Sequence, residues 1–115
     1  VIVTLPFPPA TLSGHANGHW RSKNSITKEW RTLARNATVT VGVGEFPPTG
    51  DIPIDFAFYP PDKRSDRTNF AARLKPAIDG IADALGVNDR RFLPSYSFHE
   101  PIKPGKVVVT IGGVR

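Results

Sequence analysis

The sequence predicts an α+β fold: a small mixed β-sheet with two main helices packed on one face, in the order β-α-β-α-β-β. Three observations carry this. Apolar residues alternate over one stretch at Ile52, Ile54, Phe56 and Phe58, the period of a half-buried strand. Apolar residues recur at helical spacing over two others, residues 25 to 39 and 68 to 85. No repeat, linker or shift of composition divides the 115 residues, so a single domain spanning 1–115 is expected. A chain of this length buries a core without staples.

Each element has its own signal. Val1 to Leu5 reads as a short strand closed by the proline-rich PFPPA. A polar loop, LSGHANGHWRSKN, follows. In the first helix Ile26, Trp30, Leu33 and Ala37 form the apolar face, with Ser25 or Thr27 as the candidate N-cap. GVGEFPPTG is a turn-rich break. After the alternating strand, YPPDKRS leads into the second helix, whose apolar stripe is Phe70, Leu74, Ile78, Ile81 and Leu85. Pro76 is expected to kink or split that helix, and Gly86 to end it. Residues 92 to 99 alternate weakly, and 106 to 111 are rich in valine. PIKPG between them predicts a turn joining an antiparallel pair.

Composition excludes several functions. Cysteine is absent, which removes disulfides, thiol catalysis and the common zinc-finger ligand sets, and fits a reducing cytosol. Methionine is absent too, so the natural start is expected upstream. The opening VIVTLPFPPATL is too short and too proline-interrupted to span a membrane, and no membrane association is expected. GVGEFPPTG has neither GxGxxG nor a Walker lysine. His15 and His19 stand four apart in a glycine-containing loop without a third ligand, and no nucleophile elbow supports a hydrolytic triad. Fifteen Lys and Arg against ten Asp and Glu give a net charge of +5, which attracts polyanions such as nucleic acid.

The segment DRTNFAARLKPAIDGIADALGVND concentrates the chemistry. Asp66, Asp79, Asp83 and Asp89 accompany Lys75 in 24 residues, opposite the apolar stripe of the helix or at its ends. Two readings stand. The polar groups coat a solvent face, with Asp66 as cap and Lys75 paired to Asp79 at i, i+4. Alternatively the carboxylates hold Mg²⁺ or Mn²⁺, hard cations that take oxygen ligands, while the lysine meets a phosphate.

The segment resembles the RusA-type Holliday junction resolvases of phages and prophages. The resemblance rests on Asp66-Arg67-Thr68-Asn69, then Lys75 and Asp79 four apart, then Asn88-Asp89 after a glycine-containing turn. The start of the chain matches as well, through Pro8, Pro9, Asn17, Trp20 and Arg21. The likeness runs in order over most of the chain. Thr68 departs from it, standing where the family carries a second acidic residue, and Asn88 replaces the first Asp of the final pair. The spacing from Asn69 to Asp79 is also longer by about three residues, close to one helical turn.

The resemblance implies a Mg²⁺-dependent (or Mn²⁺-dependent) endodeoxyribonuclease that resolves four-way DNA junctions by paired nicks in recombination and repair. It implies a homodimer in the cytoplasm, nucleoid-associated when bound to DNA. Asp66, Asp89 and Lys75 become the expected catalytic residues, and Asp66, Asp89 and Asp79 the expected metal ligands. The expected DNA contacts are Asn17, His19, Trp20, Arg21, Arg64, Arg67, Asn69 and Arg73, with Asn69 ordering the helix start rather than binding metal. Two other readings remain open: a junction-binding protein of the same fold that no longer cuts, and an unrelated basic nucleic-acid-binding module.

Overall fold

The computed structural model describes residues 1–12, 20–42, 46–64 and 66–112, and of residues 20–23 the backbone alone. The expected order of elements holds: β1 (Ile2–Pro6), α1 (Trp20–Val41), β2 (Ile52–Tyr59), α2 (Lys75–Leu85), β3 (Phe92–Phe98) and β4 (Lys106–Ile111). The strands form one mixed sheet in the order β1-β4-β2-β3. β2 and β3 are parallel, and α2 is the crossover that parallel neighbours require. β4 lies between β1 and β2, antiparallel to both.

β3 and β4 are therefore not the paired hairpin that PIKPG predicts. The reason lies in their composition. Val107, Val109 and Ile111 of β4 are buried, so β4 takes a central place with partners on both edges. β3 carries Pro94, which has no N–H for a second ladder, and stays at the edge. The link from β3 instead runs past the end of β2: the His99 amide donates to the Phe58 carbonyl at 2.9 Å, and the Ile102 amide to Pro60 at 2.9 Å.

One face of the sheet makes the core. Val3 and Leu5, Ile52 to Phe58 in alternation, and the alternate residues of β4 all point to the helices. Phe56 and Phe58 are fully buried there, each contributing about 2–3 kcal/mol of transfer free energy. The predicted stripe of α2 holds, with Phe70, Leu74 and Ile81 buried and Ile78 and Leu85 packed at the margin.

The predicted face of α1 is displaced. Ala34 and Thr38 are buried, whereas Leu33 is 37% exposed. The two helices meet too closely for a leucine. A methyl group placed on Gly80 would lie 2.1 Å from the Arg31 carbonyl oxygen and 3.0 Å from the Arg35 nitrogen. Thr38 is admitted because its hydroxyl donates to the Ala34 carbonyl at 2.8 Å. Among the described residues no helix is long and apolar enough to cross a membrane.

This contact is testable. Gly80→Ala should destabilise the fold by about 2–3 kcal/mol, the cost of overpacking a rigid backbone contact. Chemical denaturation should show a lower midpoint with an unchanged slope. An unaffected midpoint would mean the helices are free to separate.

Candidate functional site

Pro76 shapes the site. In a continuous helix its ring would press on the carbonyl four residues back. The chain responds with short 3-10 turns at Arg67–Asn69 and Ala71–Leu74, and α2 begins only at Lys75, with Pro76 in the first turn. There its missing N–H is not needed. Asp66 opens the first 3-10 turn in an extended conformation. Its Oδ1 accepts from the Thr68 amide at 3.0 Å and from the Thr68 hydroxyl at 2.7 Å. These bonds, the hydroxyl's first, hold its carboxyl below the usual carboxylate range.

At the other end, Gly86 adopts the left-handed conformation (φ 67°) that closes α2. Asn88 caps the next turn by accepting from the Arg90 amide at 2.9 Å. The turned chain brings Asp89 back to the start of the helix. Lys75 Nζ lies 3.0 Å from Asp79 Oδ1 and also donates to Asp89 Oδ2. Two carboxylates thus converge on one ammonium group at an open surface, with the lysine side chain 63% exposed. Hydrogen bonds to Asp89 and then Asp79 raise the Lys75 pKa, and the bond from Lys75 lowers that of Asp89.

Of the expected catalytic residues, Lys75 and Asp89 are therefore brought together. Asp79, the third expected metal ligand, joins them. Asp66 is outside this network. It lines a cleft of about 410 Å³ together with Pro60, Asp62, Lys63, Arg67, Glu100 and Pro101. Asp83 points to α1, where Arg31 grips it with two bonds, Nε to Oδ2 at 2.7 Å and Nη2 to Oδ1 at 3.0 Å.

Among the described residues no three His, Asp or Glu side chains gather into a ready metal cluster. A full protein cage is not what Mg²⁺ requires, since it is commonly held by one or two carboxylates with substrate phosphate and water. Asp79 and Asp89 supply such a pair of hard oxygen donors, already converged on a cation of the chain's own. The donor set fits.

The expected DNA contacts divide. Arg64 and Arg67 are exposed, and Asn69 is half-buried at the helix start, its amide donating to the Asp66 carbonyl. Arg73 is a correction: it is only 9% exposed, so it offers no surface to a phosphate. Its guanidinium donates to the Pro8 carbonyl at 3.2 Å and lies over the Phe7 and Phe70 rings, and burial lowers its pKa. A 3-10 turn explains this, because it rotates Arg73 inward from where an α-helix would put it. Asn17 and His19, and the side chains of Trp20 and Arg21, lie outside the described residues. Sequence reasoning missed Asp62 and Glu100 as neighbours of Asp66 in one cleft; only the strand pairing brings residues 62 and 100 together.

No family model matches the chain. It is 37% identical over 116 residues to an uncharacterized protein of Xylella fastidiosa (strain Temecula1 / ATCC 700964), an alignment covering 97% of this chain and 76% of that protein. The chain belongs to that protein's family. The relative's name assigns no activity, so function rests on the residues themselves.

The lysine–carboxylate contacts have a pH signature. Asp89 is held below its unfolded value of about 3.9, so its contribution to stability is present above that pH and lost as pH falls through the folded value. Lys75 is raised above its unfolded value of about 10.4, so its contribution is full below that pH and lost as pH rises through the folded value. In Lys75→Gln the acid-side loss of stability should shrink, read from unfolding midpoints between about pH 2 and pH 6. Identical acid limbs in both proteins would show that Lys75 does not hold Asp89 in solution.

Proposed function

We propose that this chain is a RusA-like, Mg²⁺-dependent endonuclease that binds four-way DNA junctions as a homodimer and nicks two opposed strands. The observation that carries the reading is the convergence of Asp79 and Asp89 on Lys75, at an exposed helix start in a basic protein. Two carboxylates against one ammonium leave an excess of negative charge. A phosphodiester approaches such a place only if a further cation neutralises it.

Asp79 and Asp89 are the residues that would hold Mg²⁺. When bound, the ion supplies positive charge to a phosphate oxygen and lowers the pKa of an attacking water. Lys75 then turns from Asp89 toward the phosphate and offsets the charge that develops there. Arg64 and Arg67, with Lys63, engage neighbouring phosphates and fix the register of the DNA without reading its sequence. Paired nicks need two sites related by twofold symmetry, which a homodimer supplies. Such an enzyme works in the cytoplasm, on the nucleoid.

A second reading, junction binding without cutting, is favoured by Thr68. Its hydroxyl donates to Asp66 where the resolvases carry a further carboxylate, leaving one acidic group fewer for metal.

Nicking of a synthetic four-way junction decides between them. Wild-type protein should nick only with divalent metal. Asp79→Asn and Asp89→Asn should each lower nicking by more than the roughly 100-fold that losing an outer supporting ligand costs, while junction binding survives. That binding should weaken by roughly 1,000-fold over a roughly fourfold rise in salt, because each phosphate contact releases counterions. Junction binding with no nicking under any metal, and nicking gained in Thr68→Asp, would establish the second reading. Equal affinity for junction and linear duplex would contradict both.

A further inference from the structure

β3 is an edge strand, and it carries two aromatic rings that α2 does not cover. Tyr96 stands in register with Phe56, and Phe98 with Phe58, so both project from the helix-bearing face of the sheet. Tyr96 is 41% exposed and Phe98 46%, although their partners on β2 are completely buried. The rings are held flat. Tyr96 stacks on Phe56 with centroids 5.7 Å apart and planes at 20°, and Phe98 stacks on Phe58 at 5.4 Å and 12°. With each inner face on a core ring, each outer face turns to solvent beyond the sheet edge. Phe70, 6.2 Å from Phe98, fixes one end of this shelf.

The shelf's position ties it to the site. β3 begins directly after the turn that carries Asp89, Arg90 and Arg91, and the chain beyond it supplies Glu100 to the cleft that contains Asp66. The shelf therefore runs between the two groups of acidic residues. Exposed Arg90 stands at one end, with Lys63 and Arg67 at the other. Flat rings flanked by cations match single-stranded nucleic acid, whose bases stack on aromatic faces while its phosphates pair with basic side chains.

We infer that Tyr96 and Phe98 form a stacking platform for unpaired DNA bases, such as those exposed where a strand leaves a duplex at a branch point. The choice of DNA rests on the endonuclease reading; the stacking geometry does not. The rings' rigidity favours this occupant, since no rotamer freedom is lost when a base settles on a ring already fixed against the core.

The test uses a short single-stranded oligonucleotide containing 2-aminopurine, without divalent metal, so that no cleavage is involved. Wild-type protein should bind it and change its fluorescence through stacking. Tyr96→Leu combined with Phe98→Leu keeps apolar bulk but removes the rings. It should lower affinity for the oligonucleotide by about tenfold, in line with measured base–aromatic stacking, and leave affinity for linear duplex unchanged. Should circular dichroism show that variant unfolded, Phe98→Trp decides: tighter binding supports the platform, and unchanged binding overturns it. Unchanged affinity in the folded leucine variant overturns it as well. Loss of dimer in sedimentation with DNA affinity unchanged would assign the shelf to a second copy of the chain. Wild-type protein that nicks junctions but ignores the oligonucleotide overturns the platform and leaves the endonuclease standing. Ring-dependent binding without nicking does the reverse.

Discussion

The site depends on the absence of one side chain. Gly80 lets α2 lie directly against the backbone of α1 at Arg31, where any Cβ would collide with a carbonyl oxygen that cannot move away. That contact fixes the rotation of α2. Ala77 and Ile81 turn inward to the sheet, and Asp79 is carried to the side on which Lys75 and Asp89 meet. It also brings the Arg31 side chain within reach of Asp83, so the two helices are joined by a backbone contact and a two-bonded ion pair. Helix packing alone would leave α2 several possible rotations. The glycine favours the one in which position 80 faces α1.

Electrostatics then separates four aspartates that look alike in the sequence. Asp83 is neutralised by an arginine and serves the helix pair. Asp66 is satisfied locally by Thr68 and orders the turn before the helix. Asp79 and Asp89 share one exposed lysine, two carboxylates against a single ammonium group. Their contacts are exposed and add little to stability. The cluster stabilises little yet keeps two carboxylates close together, which supports the proposed metal-binding role of α2.

Much of the fold was legible because period and punctuation agree. The alternation of Ile52 to Phe58, the stripe from Phe70 to Leu85 and the stop at Gly86 each follow from local geometry, and each is observed. What the sequence concealed depends on neighbours. PIKPG looks like a hairpin turn, yet whether the flanking strands pair is decided by Pro94 on one and three buried β-branched residues on the other. Leu33 belongs to an apolar face by spacing, but a helix distant in sequence, through Gly80, decides that Ala34 faces inward. Arg73 reads as a surface cation until a 3-10 turn rotates it under Phe7. The aspartate segment was legible as chemistry, but the grouping was not. The resemblance put Asp66 and Asp89 first and Asp79 third, whereas the fold joins Asp89 to Asp79 through Lys75.

The proposed endonuclease chemistry requires Asp79 and Asp89 to hold the divalent cation. Paramagnetic broadening by Mn²⁺ of the backbone amide signals, in the presence of junction DNA, tests it most directly. Broadening should begin at residues 75 to 79 and 88 to 90 and be removed by excess Mg²⁺. Broadening centred instead on residues 62 to 67 and 100, with the start of α2 untouched, would place the metal in the Asp66 cleft and contradict the account.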